Sequence, residues 1–196
     1  MGILGAANIA RQFMIGIAGS PRVRVEAIAS RSADKAQAFA DEFGIARTYS
    51  SYAAVLDDDD LDAVYVPLPN HLHAEWTIRA LEAGKHVLCE KPLALSAAEA
   101  RAMFAAARDG GLVLCEGYPW MAQPQTQLLR EVIEGGVIGP VRQVSAQFSS
   151  PFSDFNDIRL RPDAGGGVIL DLGTYCVSLL RLVSGVRPLS VTAQLD

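Results

Sequence analysis

Cysteine is scarce in this chain of 196 residues. The three thiols, Cys89, Cys115 and Cys176, stand far apart, each in an apolar run. That spacing excludes a disulfide framework and a thiolate metal site, and fits the reduced core thiols of an intracellular, cytoplasmic protein. Histidine is equally scarce. His71 and His73 are two apart and share no helix face, and His86 stands alone, so no metal is expected. Basic residues are outnumbered, 17 against 22 acidic ones, for a net charge of −5. None of them cluster, which excludes a nucleic-acid partner. Uninterrupted apolar runs are also missing. The most apolar stretch, residues 167–183, carries Asp171 and Arg181, so no membrane span is expected. No basic-then-apolar leader, repeat or low-complexity segment is present.

Half of the residues are hydrophobic and a fifth are charged, the balance of a globular protein. Strand and helix patterns alternate from residue 2 to about 116. Strands are expected over 2–5, 23–29, 46–49, 63–66, 86–89 and 112–115. Helices are expected to open after Gly5, over 32–43, from Ser50, over 71–83 and over 96–109. Such alternation predicts a parallel sheet wrapped by helices on both faces. Beyond residue 118 the pattern changes. A helix is expected over 124–135 and a long one over 164–182. Residues 141–149 and 189–195 alternate apolar and polar, as strands with one wet face do. The expected division is 1–117 and 118–196.

The stretch GKHVLCEKPLALS, residues 84–96, reads as a helix stop, a buried strand, a turn and a new helix start. Pro92 fixes its own φ and moves Lys91 out of helical space. Ser96 and Glu99 form a capping box. Glu90 and Lys91 therefore stand at the carboxyl end of a buried strand, where open α/β sheets bind ligands. A surface salt bridge on a turn fits the pair as well.

Three other constellations carry chemistry. Gly5-x-Ala7-x-x-Ala10 is a degenerate G-x-G-x-x-G/A between strand and helix, with Asn8 and Ile9 opening the helix. Free N–H groups at such a helix start suit a phosphate, although a plain tight turn fits the same residues. The second strand ends in Ser30-Arg31, with Lys35 one turn on. An NAD site usually has Asp or Glu there; hydroxyl and guanidinium suit a 2′-phosphate, which predicts NADP, with NAD as the alternative. Last, Asp171 and Tyr175 are four apart in an apolar segment and share a helix face. A lysine ammonium beside Tyr175 is expected to lower its pKa and make it a general acid/base. An Asp satisfying helix N–H groups beside a core tyrosine is the structural alternative.

In order and register, the motifs ILGAANIAR, ASRSADKAQAFADEFG, VYVPLPNHLHAEWTIRALEAGKHVLCEKPLALS and GGGVILDLGTY resemble the Gfo/Idh/MocA oxidoreductases, the glucose-fructose oxidoreductase and inositol dehydrogenase family. The resemblance covers nearly the whole chain, and Glu90-Lys91-Pro92 is its most specific element. It implies an α/β protein: a Rossmann doubly wound parallel sheet, then a partial α+β domain with an open, mainly antiparallel sheet. It implies hydride transfer between NADP and the hydroxyl carbon of a sugar, polyol or trans-dihydrodiol, with Lys91, Asp171 and Tyr175 catalytic. Many members carry His where this chain has Tyr175, which places the likeness nearest the dimeric dihydrodiol dehydrogenase and glucose-fructose oxidoreductase branch. Implied cofactor contacts are Gly5, Ala7, Asn8, Ile9, Ser30, Arg31, Lys35, Pro67, Leu68, Asn70, His73, Glu90 and Lys91. Implied substrate contacts are Lys91, Arg159 and Tyr175. A homodimer through the second-domain sheet is the family expectation. Members are also longer, so the resemblance implies a fragment or a truncated product. The competing readings are a non-catalytic NAD(P)-binding regulator and an inactive fragment.

Overall fold

The computed structural model describes residues 1–151 and 154–194. The chain alternates β1 (Gly2–Leu4), α1 (Asn8–Ile17), β2 (Ala27–Ala29), α2 (Ala33–Phe43), β3 (Arg47–Tyr49) and α3 (Tyr52–Leu56). It continues with β4 (Ala63–Val66), α4 (His73–Glu82), β5 (His86–Glu90), α5 (Ala97–Asp109) and β6 (Leu114–Gly117). All six strands are parallel, in the order β3-β2-β1-β4-β5-β6. The order reverses between β1 and β4, which opens a crevice at the carboxyl ends of the strands.

Successive strand residues serve opposite faces, as the pleat requires. Leu4, Ala27, Ala29, Val64 and Val66 pack on one face with residues of α3, α4 and α5. Ile3, Ile28 and Tyr65 pack on the other with Phe39 and Ala40 of α2 and Ala10 of α1. Burying each large side chain of this kind contributes about 2 kcal/mol. The helices start where the sequence places their caps. Ser32 Oγ accepts the Lys35 N–H at 3.4 Å and Ser96 Oγ the Glu99 N–H at 3.2 Å. Glu99 returns the bond by accepting the Leu95 N–H at 2.9 Å.

After β6 come α6 (Pro124–Glu134) and α7 (Thr174–Ser184). The single helix expected over 164–182 is divided. A 3₁₀ turn (Pro162–Ala164) precedes the glycines, and a π-helical turn (Ile169–Gly173) precedes α7. The strand expected over 141–149 is irregular, and so are residues 189–194; residue 195 lies outside the described residues. Among the described residues every strand belongs to the parallel sheet, so the second, antiparallel sheet is not formed. A strand needs a ladder of bonds to a neighbour, and neither segment has one. Apolar side chains there stay in water: Val141, Phe148, Leu189 and Val191 are exposed.

Candidate active site

Gly5, Ala7, Ser30, Arg31, Lys35 and Leu68 line a cleft of about 440 Å³ at the carboxyl ends of β1, β2 and β4. Gly5 has φ +114°, and an added Cβ would stand 3.1 Å from Leu68 Cδ2. Its N–H donates to the Ala29 carbonyl at 2.8 Å, which fixes the turn into α1. That helix starts at Ala7 without a side-chain cap and has no acidic residue in its first turn. Its first N–H groups and dipole are therefore left for an anion. Ser30 is buried, with Arg31 and Lys35 exposed at the rim. Among the described residues no carboxylate lines this cleft. The hydroxyls of Ser30 and Ser32 with two cations fit a dinucleotide bearing a ribose 2′-phosphate. Asn8 and Ile9 are exposed on the first turn of α1, and Ile9 faces a neighbouring groove of about 680 Å³ shared with Tyr65, Glu90, Glu116 and Tyr118.

The turn after β5 is braced from both neighbouring strands. Tyr65 of β4 donates its phenol to Glu90 Oε1 at 2.6 Å, and the Lys91 N–H donates to Glu90 Oε2 at 3.3 Å. Glu116 of β6 accepts the Leu93 N–H at 2.9 Å. Burial pushes the Glu90 carboxyl up, against the pull of these two donors. The Lys91–Pro92 peptide is cis.

From this turn Lys91 Nζ donates to Asp171 Oδ1 at 2.8 Å and to the Asp171 carbonyl at 3.1 Å. Asp171 is 7% exposed, and the π-helical turn aims it at the lysine. Its Oδ2 is buried without a hydrogen-bond partner, and Arg159 Nη1 lies 3.8 Å away. The Arg159 guanidinium makes a two-point pair with Asp157, at 3.0 and 2.7 Å, which holds the Asp157 carboxyl below its usual range. The glycines before Asp171 permit a close approach: a Cβ on Gly166 would stand 2.6 Å from the Arg159 carbonyl oxygen.

Tyr175 completes the group. Lys91 Nζ stands 5.4 Å from its ring centroid, and Tyr118 and Phe148 flank it at 4.9 and 5.3 Å. Its pKa moves opposite to the sequence expectation. Burial, then the charges of Glu90, Asp171 and Glu116, push the phenol up. The ammonium does not offset them because Asp171 already neutralises it.

Two expected cofactor contacts stand elsewhere. Asn70 does not cap a helix; its amide donates to the Gly165 carbonyl at 2.8 Å and ties the β4 loop to the glycine segment. His73 is fully buried, with its ring nitrogens against the Leu68 and Pro92 carbonyls. Sequence reasoning missed Tyr65, Glu116 and the aromatic wall of Tyr118 and Phe148. The position of Glu116 at the end of β6, matching Glu90 at the end of β5, was the one available signal for them.

Residues 1–118 match the GFO/IDH/MocA oxidoreductase family, described as an NAD-binding Rossmann fold, and residues 126–196 match the GFO/IDH/MocA C-terminal domain. A dTDP-3,4-didehydro-2,6-dideoxy-alpha-D-glucose 3-reductase of Actinomadura kijaniata is 44% identical over 94% of this chain and 56% of its own length. The D-xylose 1-dehydrogenase (NADP(+)) 2 of Haloferax volcanii is 44% identical over 94% of this chain and 57% of its own. A crystal structure of a 3-ketoreductase from Actinomadura kijaniata, in complex with NADP and TDP-benzene, superposes with a TM-score of 0.88 at 43% identity. It covers 93% of this chain, which covers 56% of it. The chain thus spans little more than half the length of these relatives. No helix among the described residues is long and apolar enough to cross a membrane. With the glycine turn, the Glu90-Lys91-Pro92 turn and the Lys91–Asp171 pair in place, this chain belongs to the GFO/IDH/MocA oxidoreductase family.

Proposed function

We propose that this chain carries the site of an NADP-dependent oxidoreductase acting on a hydroxyl or keto carbon of a sugar, polyol or trans-dihydrodiol. The observation that carries this reading is the Lys91–Asp171 pair beside the ring of Tyr175, at the sheet edge that also holds the anion-fitting cleft. When bound, the nicotinamide supplies or accepts the hydride. The protein moves the proton. Tyr175, whose phenol is pushed up, is protonated at neutral pH and serves as the acid that donates to a carbonyl oxygen. Lys91 has three N–H donors. Two of them face Asp171, and the third is available to the same substrate oxygen. Asp171 orients the ammonium, and Arg159 flanks the substrate side.

In this reading Gly5, Ala7, Asn8 and Ile9 face the pyrophosphate, and Ser30, Arg31 and Lys35 the 2′-phosphate. Pro67 and Leu68 wall the cleft, and Glu90 and Lys91 meet the nicotinamide end. The sugar-directed relatives favour a carbohydrate substrate. Residues 118–196 are the partial substrate and dimerisation unit. Residues 141–149 and 189–194 join its open sheet when they find neighbours, and the exposed apolar side chains there favour a homodimer. The reducing cytoplasm suits the three free thiols.

Fluorescence titration of NADPH and NADH on the wild type and Arg31→Ala tests the reading. NADPH binds more tightly than NADH, and Arg31→Ala weakens NADPH by about tenfold to a hundredfold while leaving NADH unchanged. Binding of neither cofactor overturns it.

A further inference from the structure

We propose that His73 is a positioning residue that fastens the wall of the cofactor cleft to the turn presenting Lys91. The inference rests on the functional reading above, which assigns roles to both loops. His73 opens α4 and is 0% exposed. Its Nε2 lies 2.7 Å from the carbonyl oxygen of Leu68, and its Nδ1 lies 2.8 Å from that of Pro92. Leu68 lines the cleft and packs against the turn at Gly5. Pro92 directly follows Lys91. One ring therefore spans the loops leaving β4 and β5, on the lysine side of the crevice. Both carbonyls are shielded from water, and a buried acceptor without a partner costs about 1–3 kcal/mol. Burial holds the ring's pKa below that of free histidine, against the pull of the two carbonyls and of Glu116, while His71 acts in the same direction as burial. The neutral ring carries one N–H and donates to one of the two carbonyls while its other nitrogen packs against the second; the imidazolium donates to both. Glutamine keeps an N–H donor but has no second nitrogen on the far side of a ring.

The chain has three lysines, which makes the test direct. Lys35 is exposed, Lys85 is buried with its ammonium on the Asp58 carbonyl at 2.8 Å, and Lys91 lies against the Tyr175 ring. In protein labelled with ¹³C at the lysine ε carbons, the Lys91 signal is shifted by the ring current. Lys91→Arg identifies it. In His73→Gln it moves toward the Lys35 position while the Lys85 signal stays, and NADPH binding weakens by about tenfold. His73→Asn repeats the test with a shorter amide if the glutamine variant folds poorly. A Lys91 signal that stays in place, with only a lower melting temperature, makes His73 a packing residue and overturns the proposal. Wild-type protein that binds no NADPH overturns the cofactor reading instead, and the Lys91 signal still decides the role of His73.

Discussion

Lys91 and Asp171 are 80 residues apart in sequence, yet Nζ and Oδ1 meet at 2.8 Å. The lysine side chain is 20% exposed and the aspartate 9%, so water screens the pair weakly. This contact joins the parallel-sheet half of the chain to the segment after it, beside the ring of Tyr175.

Breaking one side of that pair leaves an uncompensated buried charge. Lys91→Met is expected to lower stability by about 3 kcal/mol, near the lower end for a buried pair because the lysine is partly wet. Lys91→Met combined with Asp171→Leu recovers most of the loss, since two apolar side chains need no counter-charge. Urea melts of the two singles and the double measure the coupling. Strictly additive losses would mean that the two charges do not interact.

Tyr175→Phe removes the proposed acid and keeps the ring between Tyr118 and Phe148. Cofactor affinity is expected to stay within about twofold, because the ring packing is unchanged. Reduction of a keto sugar by NADPH falls by about 10² to 10⁴-fold. In the wild type, the loss of activity due to Tyr175 ionisation lies above pH 10, because the phenol is pushed up from that value. A steep decline near pH 8 that vanishes in Tyr175→Phe would contradict this assignment.

Glu90 supplies a pH test of the braced turn. Burial raises its carboxyl pKa in the folded protein above the ordinary 4.5. The folded state therefore holds this proton more tightly than the unfolded one. Its favourable contribution is complete below about pH 4.5 and is lost as pH rises through the folded value. Glu90→Gln, which keeps an acceptor for Tyr65, should melt higher than the wild type at pH 7, and the advantage should shrink toward pH 4. An advantage that is constant with pH would mean that Glu90 ionisation does not contribute to stability.

Much of the parallel-sheet half was legible from short-range signals. The caps at Ser32 and Ser96 and the turn at Gly5 lie where the residues place them. Boundaries moved where periodicity was weak. Residues 23–26 read as strand but lie outside β2, and β6 begins two residues later than its apolar run. Of the expected site residues, Gly5, Ala7, Ser30, Arg31, Lys35, Pro67 and Leu68 meet in one cleft. Lys91, Asp171 and Tyr175 gather in a second cluster. Asn70 and His73 were read as cofactor contacts because they stand in the loop after β4. Their side chains turn instead to backbone carbonyls, at Gly165 for Asn70 and at Leu68 and Pro92 for His73.

The sequence by itself determined the alternation of strands and helices, the glycine turn into α1 and the place of Lys91 at the end of β5. These follow from side-chain periodicity, caps and proline geometry, which act within a few residues along the chain. Only the tertiary structure decided that Asp171 neutralises Lys91, that Tyr175 is pushed up and not down, and that His73 is sealed from the cleft it was expected to line. It also decided that residues 141–149 form no strand. Charge neutralisation, desolvation and strand pairing depend on which groups meet across space, and local sequence pattern carries no record of those partners.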